Sequence, residues 1–179
     1  MKPATSFAIH LVVDACASEP ALESVRLRGG AVLELDVAKV EDLDALERAL
    51  IRTFHIPYPS RGFQSLIDYG SSLGEWMDST RGFMLFVTGI DGCPEPVARQ
   101  LVAILPFMID RWRSIGIAYD TQIVATTSRS ALLDELRSSN SRLKAFGELP
   151  DRVVESGPVP VYVDGVLDEA ASAGVRPPS

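Results

Sequence analysis

The stretch Phe83-Met84-Leu85-Phe86-Val87 is wholly apolar, and Arg81-Gly82 bounds it on one side and Gly89-Ile90-Asp91-Gly92 on the other. A short apolar run between such breakers reads as a strand buried on both faces, as in a parallel sheet. Downstream, Pro94 and Pro96 open a long helix whose apolar face runs Val97, Leu101, Ile104, Leu105, Met108 and Trp112, with Gly116 ending it. Pro106 lies inside this pattern and removes a backbone donor, so the helix is expected to kink or divide there. Thr121 to Thr126, with Ile123 and Val124 at its centre, is the next strand. A strand, a crossover helix and a second strand imply parallel pairing with a right-handed connection.

Working upstream, Val32, Leu33, Leu35 and Val37 mark a strand that begins at Ala31. Glu41, Asp42 and Asp44 then put acids at a helix start, where the macrodipole favours them. Leu43, Leu46, Leu50 and Phe54 recur at helical spacing until His55-Ile56-Pro57-Tyr58-Pro59 stops the pattern. A second helical stripe runs through Phe63, Leu66, Ile67, Gly70, Leu73 and Met77, leaving Gln64, Asp68, Ser72 and Glu75 on the opposite face. Gly70 and Gly74 each cost about 1 kcal/mol against alanine in a helix interior, so this helix is expected to end near Tyr69 and restart later. Ser6 to Asp14 reads as a further strand, followed by a polar stretch with Glu19-Pro20 and the boundary Gly29-Gly30. Beyond residue 128, a short helix is expected over 130–138, and a late strand over Val159 to Val163, which Pro160 would confine to an edge. From Gly174 onward the chain reads as a frayed tail. The expectation is an α/β fold, a small parallel sheet packed with helices, its core at 31–128 and extensions at 1–30 and 129–179 that add strands.

The 179 residues suit one domain, or one domain with extensions, able to bury roughly 70% of its unfolded surface. Apolar residues make up 46% against 23% charged, which argues against disorder. With 24 acids, 17 bases and a net charge of −7, the molecule repels nucleic acid and favours a basic partner. Cys16 and Cys93 support neither a disulfide framework nor a zinc site, which points to the cytoplasm. Lys2, Phe7 to Val13 and Ala15-Cys16-Ala17 have the outline of a signal peptide, but His10 and Asp14 interrupt a short apolar stretch, so the strand reading is preferred. No run reaches the length of a membrane span.

Catalytic patterns are weak. Gly70-Ser71-Ser72-Leu73-Gly74 matches the nucleophile elbow of α/β-hydrolases, yet His10 and His55 both precede Ser72 and no downstream base exists for a triad. Neither histidine has metal-ligand spacing, nothing flanks the cysteines to lower a thiol pKa, and Gly89-Ile90-Asp91-Gly92 lacks the lysine of a phosphate loop. No metal, cofactor or small-molecule substrate is expected. What remains is an acidic strip, Asp68 and Glu75 two turns apart with Ser72 between them, flanked by Tyr58, Phe63, Tyr69 and Trp76. An acid on a helix face is most often simply solvated.

The order of elements from Leu33 to Thr126 resembles the barstar family of ribonuclease inhibitors. The strand Val32 to Val37, the helical Asp42-Leu43-Asp44-Ala45-Leu46 and Pro57 are similar to that family's first strand, first helix and loop proline. Gln64-Ser65-Leu66-Ile67-Asp68 resembles its motif of an acid, a small residue, leucine, a variable position and a second acid, so the second acid carries over to Asp68. Gln64 replaces the first acid, Gly62 stands where asparagine is expected, and Tyr58 to Arg61 lacks the usual tyrosine-glycine pattern.

The resemblance implies a barstar-like fold and a non-catalytic immunity protein or antitoxin of the cytoplasm, acting by protein-protein interaction. Its partner would be a basic protein toxin, foremost a ribonuclease, whose active site it occludes. Asp68 would mimic a phosphate, and Gln64, Ser72, Glu75, Trp76 and Tyr58 would be further partner contacts. Two alternatives stand beside it: a similar module against a toxin of another kind, and a small serine hydrolase using Ser72.

Overall fold

The computed structural model describes residues 7–13, 19–27, 29–59, 62–71, 81, 83–114, 121–143, 158–170 and 172. The element order is β1 (Phe7–Val12), α1 (Glu19–Leu27), β2 (Ala31–Asp36), α2 (Leu43–Thr53), α3 (Phe63–Ser71), β3 (Phe83–Thr88), α4 (Glu95–Ser114), β4 (Thr121–Thr126), α5 (Ala131–Arg142), β5 (Val161–Val163) and β6 (Val166–Leu167). The strands form one sheet in the order β2-β3-β4-β1-β5-β6. All pairs are parallel except the β5–β6 hairpin. The expected α/β fold with a parallel sheet and helices is therefore present.

Alternation along the strands divides the core in two. Ile9 and Leu11 of β1, Leu33 and Leu35 of β2, Leu85 and Val87 of β3, and Val161 of β5 face α2 to α5 and join one large cluster. On the opposite face, Val12, Met84, Val32 and Phe86 pack with Leu22 and Val25 of α1. The large cluster is anchored by fully buried Leu46 and Leu50 of α2, Leu66 of α3, Trp112 of α4 and Leu136 of α5. Burying one such aliphatic side chain is worth about 1.5–3 kcal/mol against leaving it in water.

Local chemistry explains the boundaries. Asp42 takes an extended conformation before α2, and its carboxylate accepts the Ala45 amide at 2.7 Å, an N-cap at the helix start where acids were expected. Helix α3 ends at Ser71, two residues beyond the expected stop. Helix α4 runs unbroken through Pro106, so the expected division does not occur. Tertiary burial of Val102, Leu105, Met108 and Ile109 around the proline outweighs its one missing hydrogen bond.

Four expectations need correcting. The polar stretch at Glu19-Pro20 is the first turn of α1, where proline is tolerated because its missing N–H would be unpaired anyway. Pro160 does not hold β5 at an edge: it precedes the strand, its carbonyl accepts the Ile9 amide at 2.9 Å, and β5 pairs with β1 on one side and β6 on the other. The last strand is shorter than expected and turns back through Asp164 and Gly165, both at positive φ, into the unforeseen β6. Helix α5 also runs to Arg142, past the expected 138.

Gly89 is a close approach between the loop after β3 and the end of β2 with its following loop. Its φ is +79°, and a Cβ there would run into the Asp36 carboxylate and the Ala38 amide nitrogen. That carboxylate is itself held by the Ala38 amide at 3.0 Å, so neither neighbour can give way cheaply. Gly89→Ala should lower stability by roughly 2–4 kcal/mol in urea denaturation, from strained backbone plus the collision, with little change in the slope.

Candidate partner-binding site

Helix α3 is positioned at its start and from below. Helix α2 closes at Phe54, which is buried, and His55 follows at φ +51°, turning the chain so that Ile56 is buried and Pro57-Tyr58-Pro59 runs along the surface. At the entrance to α3, Gly62 has φ +93°, its amide donates to the Glu47 carboxylate of α2 at 2.9 Å, and its carbonyl accepts the Leu66 amide at 3.2 Å. Gly62 thus falls on a left-handed backbone, which glycine adopts without steric cost. Leu66 is fully buried, Phe63, Ile67 and Tyr69 pack against the core, and α3 lies on α4.

The outer face of α3 presents Gln64 and Asp68, both exposed and one turn apart. Tyr58 is 49% exposed, and its ring tilts against Tyr69 with centroids 5.5 Å apart. Asp68 also has a polar or electrostatic interaction within the chain, which a partner's cation would have to replace. Of the six expected contacts, Gln64, Asp68 and Tyr58 therefore lie on the surface of the α3 region. Ser72, Glu75 and Trp76 lie outside the described residues.

A second polar cluster, which the sequence reading did not assemble, sits at the carboxyl ends of β3 and β4. Asp91 accepts the Thr127 hydroxyl at 2.6 Å, the Ser128 amide at 2.9 Å and the Ser128 hydroxyl at 2.7 Å. Arg129 donates to the Asp91 and Cys93 carbonyls at 2.7 and 2.9 Å and lies 3.5 Å from Glu95. Burial pushes the Asp91 carboxyl up, but the hydrogen bonds from Thr127 and Ser128 and the Arg129 charge outweigh it and hold it below the usual carboxylate range. Parallel α/β proteins place ligands beyond the carboxyl ends of their strands. Here those side chains are spent on tying the loop before α4 to the loop before α5. The only sequence signal was Asp91 after one apolar strand and Thr127-Ser128-Arg129 after the next.

The other candidates have structural settings. Burial raises the Cys93 thiol pKa, and the thiol donates to the Ile90 carbonyl at 3.2 Å. His10 lies in the middle of β1, and His55 is exposed at the end of α2. Among the described residues no group of three His, Cys, Asp or Glu could hold a metal ion, and no helix is long and apolar enough to cross a membrane.

No protein-family model matches the chain, and no curated protein matches it. Among solved structures, a Walker-type ATPase of Pyrococcus abyssi is similar at 12% identity and a TM-score of 0.38, over 90% of this chain and 49% of that one. The chain thus spans about half the length of that ATPase, and a likeness of this degree says nothing about activity.

Asp91→Ala should cost about 1–3 kcal/mol of stability in denaturant titration, because it strips the hydroxyl and amide donors of Thr127 and Ser128 of their acceptor. Since the folded carboxyl titrates below its ordinary 3.8, the stability it supplies is complete above that pH and is lost as the solution is acidified through the lowered value. Asp91→Asn should accordingly show a flatter acid limb in stability against pH.

Proposed function

We propose that the chain is a non-catalytic inhibitor, a barstar-like immunity protein or antitoxin that occludes the active site of a basic toxin in the cytoplasm of the producing cell, foremost a ribonuclease. The observation that carries this reading is the exposed carboxylate of Asp68 on a helix held by Leu66 beneath it and by the Gly62–Glu47 bond at its start. A carboxylate on a rigid support offers itself where a phosphate would sit, and a ribonuclease pocket that gathers Lys, Arg and His supplies the matching cations.

Two further features support it. The segment from β2 to β4 runs strand, two helices, strand, helix, strand, with its three strands side by side and parallel, in the order the barstar resemblance implies. The net charge of −7 would steer a basic enzyme at encounter, so association should be fast at low salt and slower at high salt. Gln64, one turn from Asp68, and Tyr58, its ring tilted against Tyr69, would be secondary contacts.

Purified protein should block RNA cleavage by its cognate ribonuclease at one-to-one stoichiometry, and co-expression should rescue growth. Asp68→Ala should weaken binding by about 2–5 kcal/mol, roughly 30-fold to several thousand-fold in Kd, mainly through faster dissociation, while thermal stability is retained. An unchanged Kd in Asp68→Ala would remove the proposed anion from the interface. Rescue from a toxin that does not cleave RNA would keep the module and change its target. The sheet favours that second reading in one respect, because β1, β5 and β6 extend it beyond the strands the resemblance accounts for.

A further inference from the structure

Strand β5 joins the parallel sheet through β1, with Ile9, His10 and Leu11 in register with Val161, Tyr162 and Val163. The middle pair of this seam is a stack: the rings of His10 and Tyr162 lie 5.0 Å apart and within 13° of parallel. Nε2 of that imidazole is buried and, among the described residues, is the one buried side-chain polar atom without a hydrogen-bond partner. A neutral imidazole can leave one ring nitrogen bare at modest cost, whereas an imidazolium carries a proton on each nitrogen and needs an acceptor for both.

The geometry points to an acid-sensitive joint: protonation of His10 loosens the β1–β5 seam and releases the C-terminal hairpin while the β2-β3-β4 block stays folded. Ala8 and Val12 share the His10 face of β1, β4 carries uncharged Val124 in register with it, and β5 contributes the Tyr162 phenol. Helix α1 packs Leu22 and Val25 against Val12 on this same face, and its charged Glu19, Glu23 and Arg26 are exposed. The acids of the hairpin are engaged elsewhere, Asp164 with the Val13 amide at 3.0 Å and Asp168 with Arg137 at 2.6 Å. Nε2 therefore has no acceptor among the described residues to meet the new proton.

Burial holds the imidazole below its ordinary value of 6.5, which agrees with the geometry. Below that pH the detached state binds more protons than the native one, so the equilibrium moves toward detachment as pH falls, by at most about tenfold per pH unit for one proton. The movement levels off once the folded-state value is passed. Above pH 6.5 the seam keeps its full strength.

Amide hydrogen exchange of the full chain between pH 7.5 and 5.5, corrected for intrinsic rates, reads this directly. The Asp164 amide, which donates to the Leu11 carbonyl across the seam, should lose protection on acidification, while amides of β2 and β3 keep theirs. His10→Phe preserves an aromatic stack without a titrating group and should abolish the pH dependence. Equal pH dependence in the two proteins, or loss of protection across all strands together, overturns the proposal. Proton NMR of the wild-type chain, with His55→Gln to assign the imidazoles, gives an independent reading: a His10 midpoint below 6.5 supports the joint, and one at or above 6.5 overturns it. Neither measurement involves a toxin, so the outcome is independent of the inhibitor reading.

Discussion

Strand β1 has its backbone partners at the far end of the chain: Phe7 to Val12 lie beside Thr121 to Thr126, and Ile9 to Leu11 beside Val161 to Val163. Without it, β4 and β5 would each present a bare ladder to water, the kind of edge that invites pairing with other chains. With it, both are interior strands, and the sheet ends beyond β5 in the two-residue β6. The connection from β1 to β2 passes two strand positions, and α1 fills the face left open over β2 and β3. Side chains outside the ladder reinforce the same region. Asn140 of α5 bonds both the amide and the carbonyl of Val159, at 3.0 and 2.8 Å, and Ser172 accepts the Val161 amide at 3.0 Å, so side chains serve the backbone leading into β5, and the β6 ladder serves Tyr162 and Val163.

The central part of this architecture was legible because its signals are local. Phe83 to Val87 has one plausible state, the 3–4 residue recurrence of Leu43, Leu46, Leu50 and Phe54 has one period, and Asp42 caps as its chemistry suggests. The failures share a cause. Helix α1 has nine residues, a proline in its first turn and a short apolar stripe, so its existence depends on Val12, Met84 and Phe86 being available to cover it. Pro160 reads as an edge marker only if it lies within a strand, and strand ends are decided by partners more than a hundred residues away. Sheet order itself left no trace in composition or periodicity.

The proposed binding face was legible only in part, and for the same reason. That Gln64 and Asp68 share one side of a helix follows from spacing, and so does the inward direction of Leu66. The pin between Gly62 and Glu47 does not follow from spacing, because it joins two helices across a loop. Neither does the Asp91 cluster, whose donors come from the loop after the neighbouring strand. In both cases the sequence contains the right functional groups, and the fold decides which of them meet.

The distance in sequence between β1 and its partners also has a meaning for biosynthesis. The residues of β1 leave the ribosome before those of β2, β3 and β4, and β4 follows after about 110 more have been added, which at about 5–20 residues per second is an interval of roughly 6–20 s. Throughout it, Ile9, Leu11 and Val12 have no sheet to enter, whereas β2 and β3 can pair as soon as Thr88 is available. The nascent chain must therefore keep the apolar β1 segment out of trouble until β4 has been made, so β1 is seated after the later-made β2 and β3 and in turn receives β5.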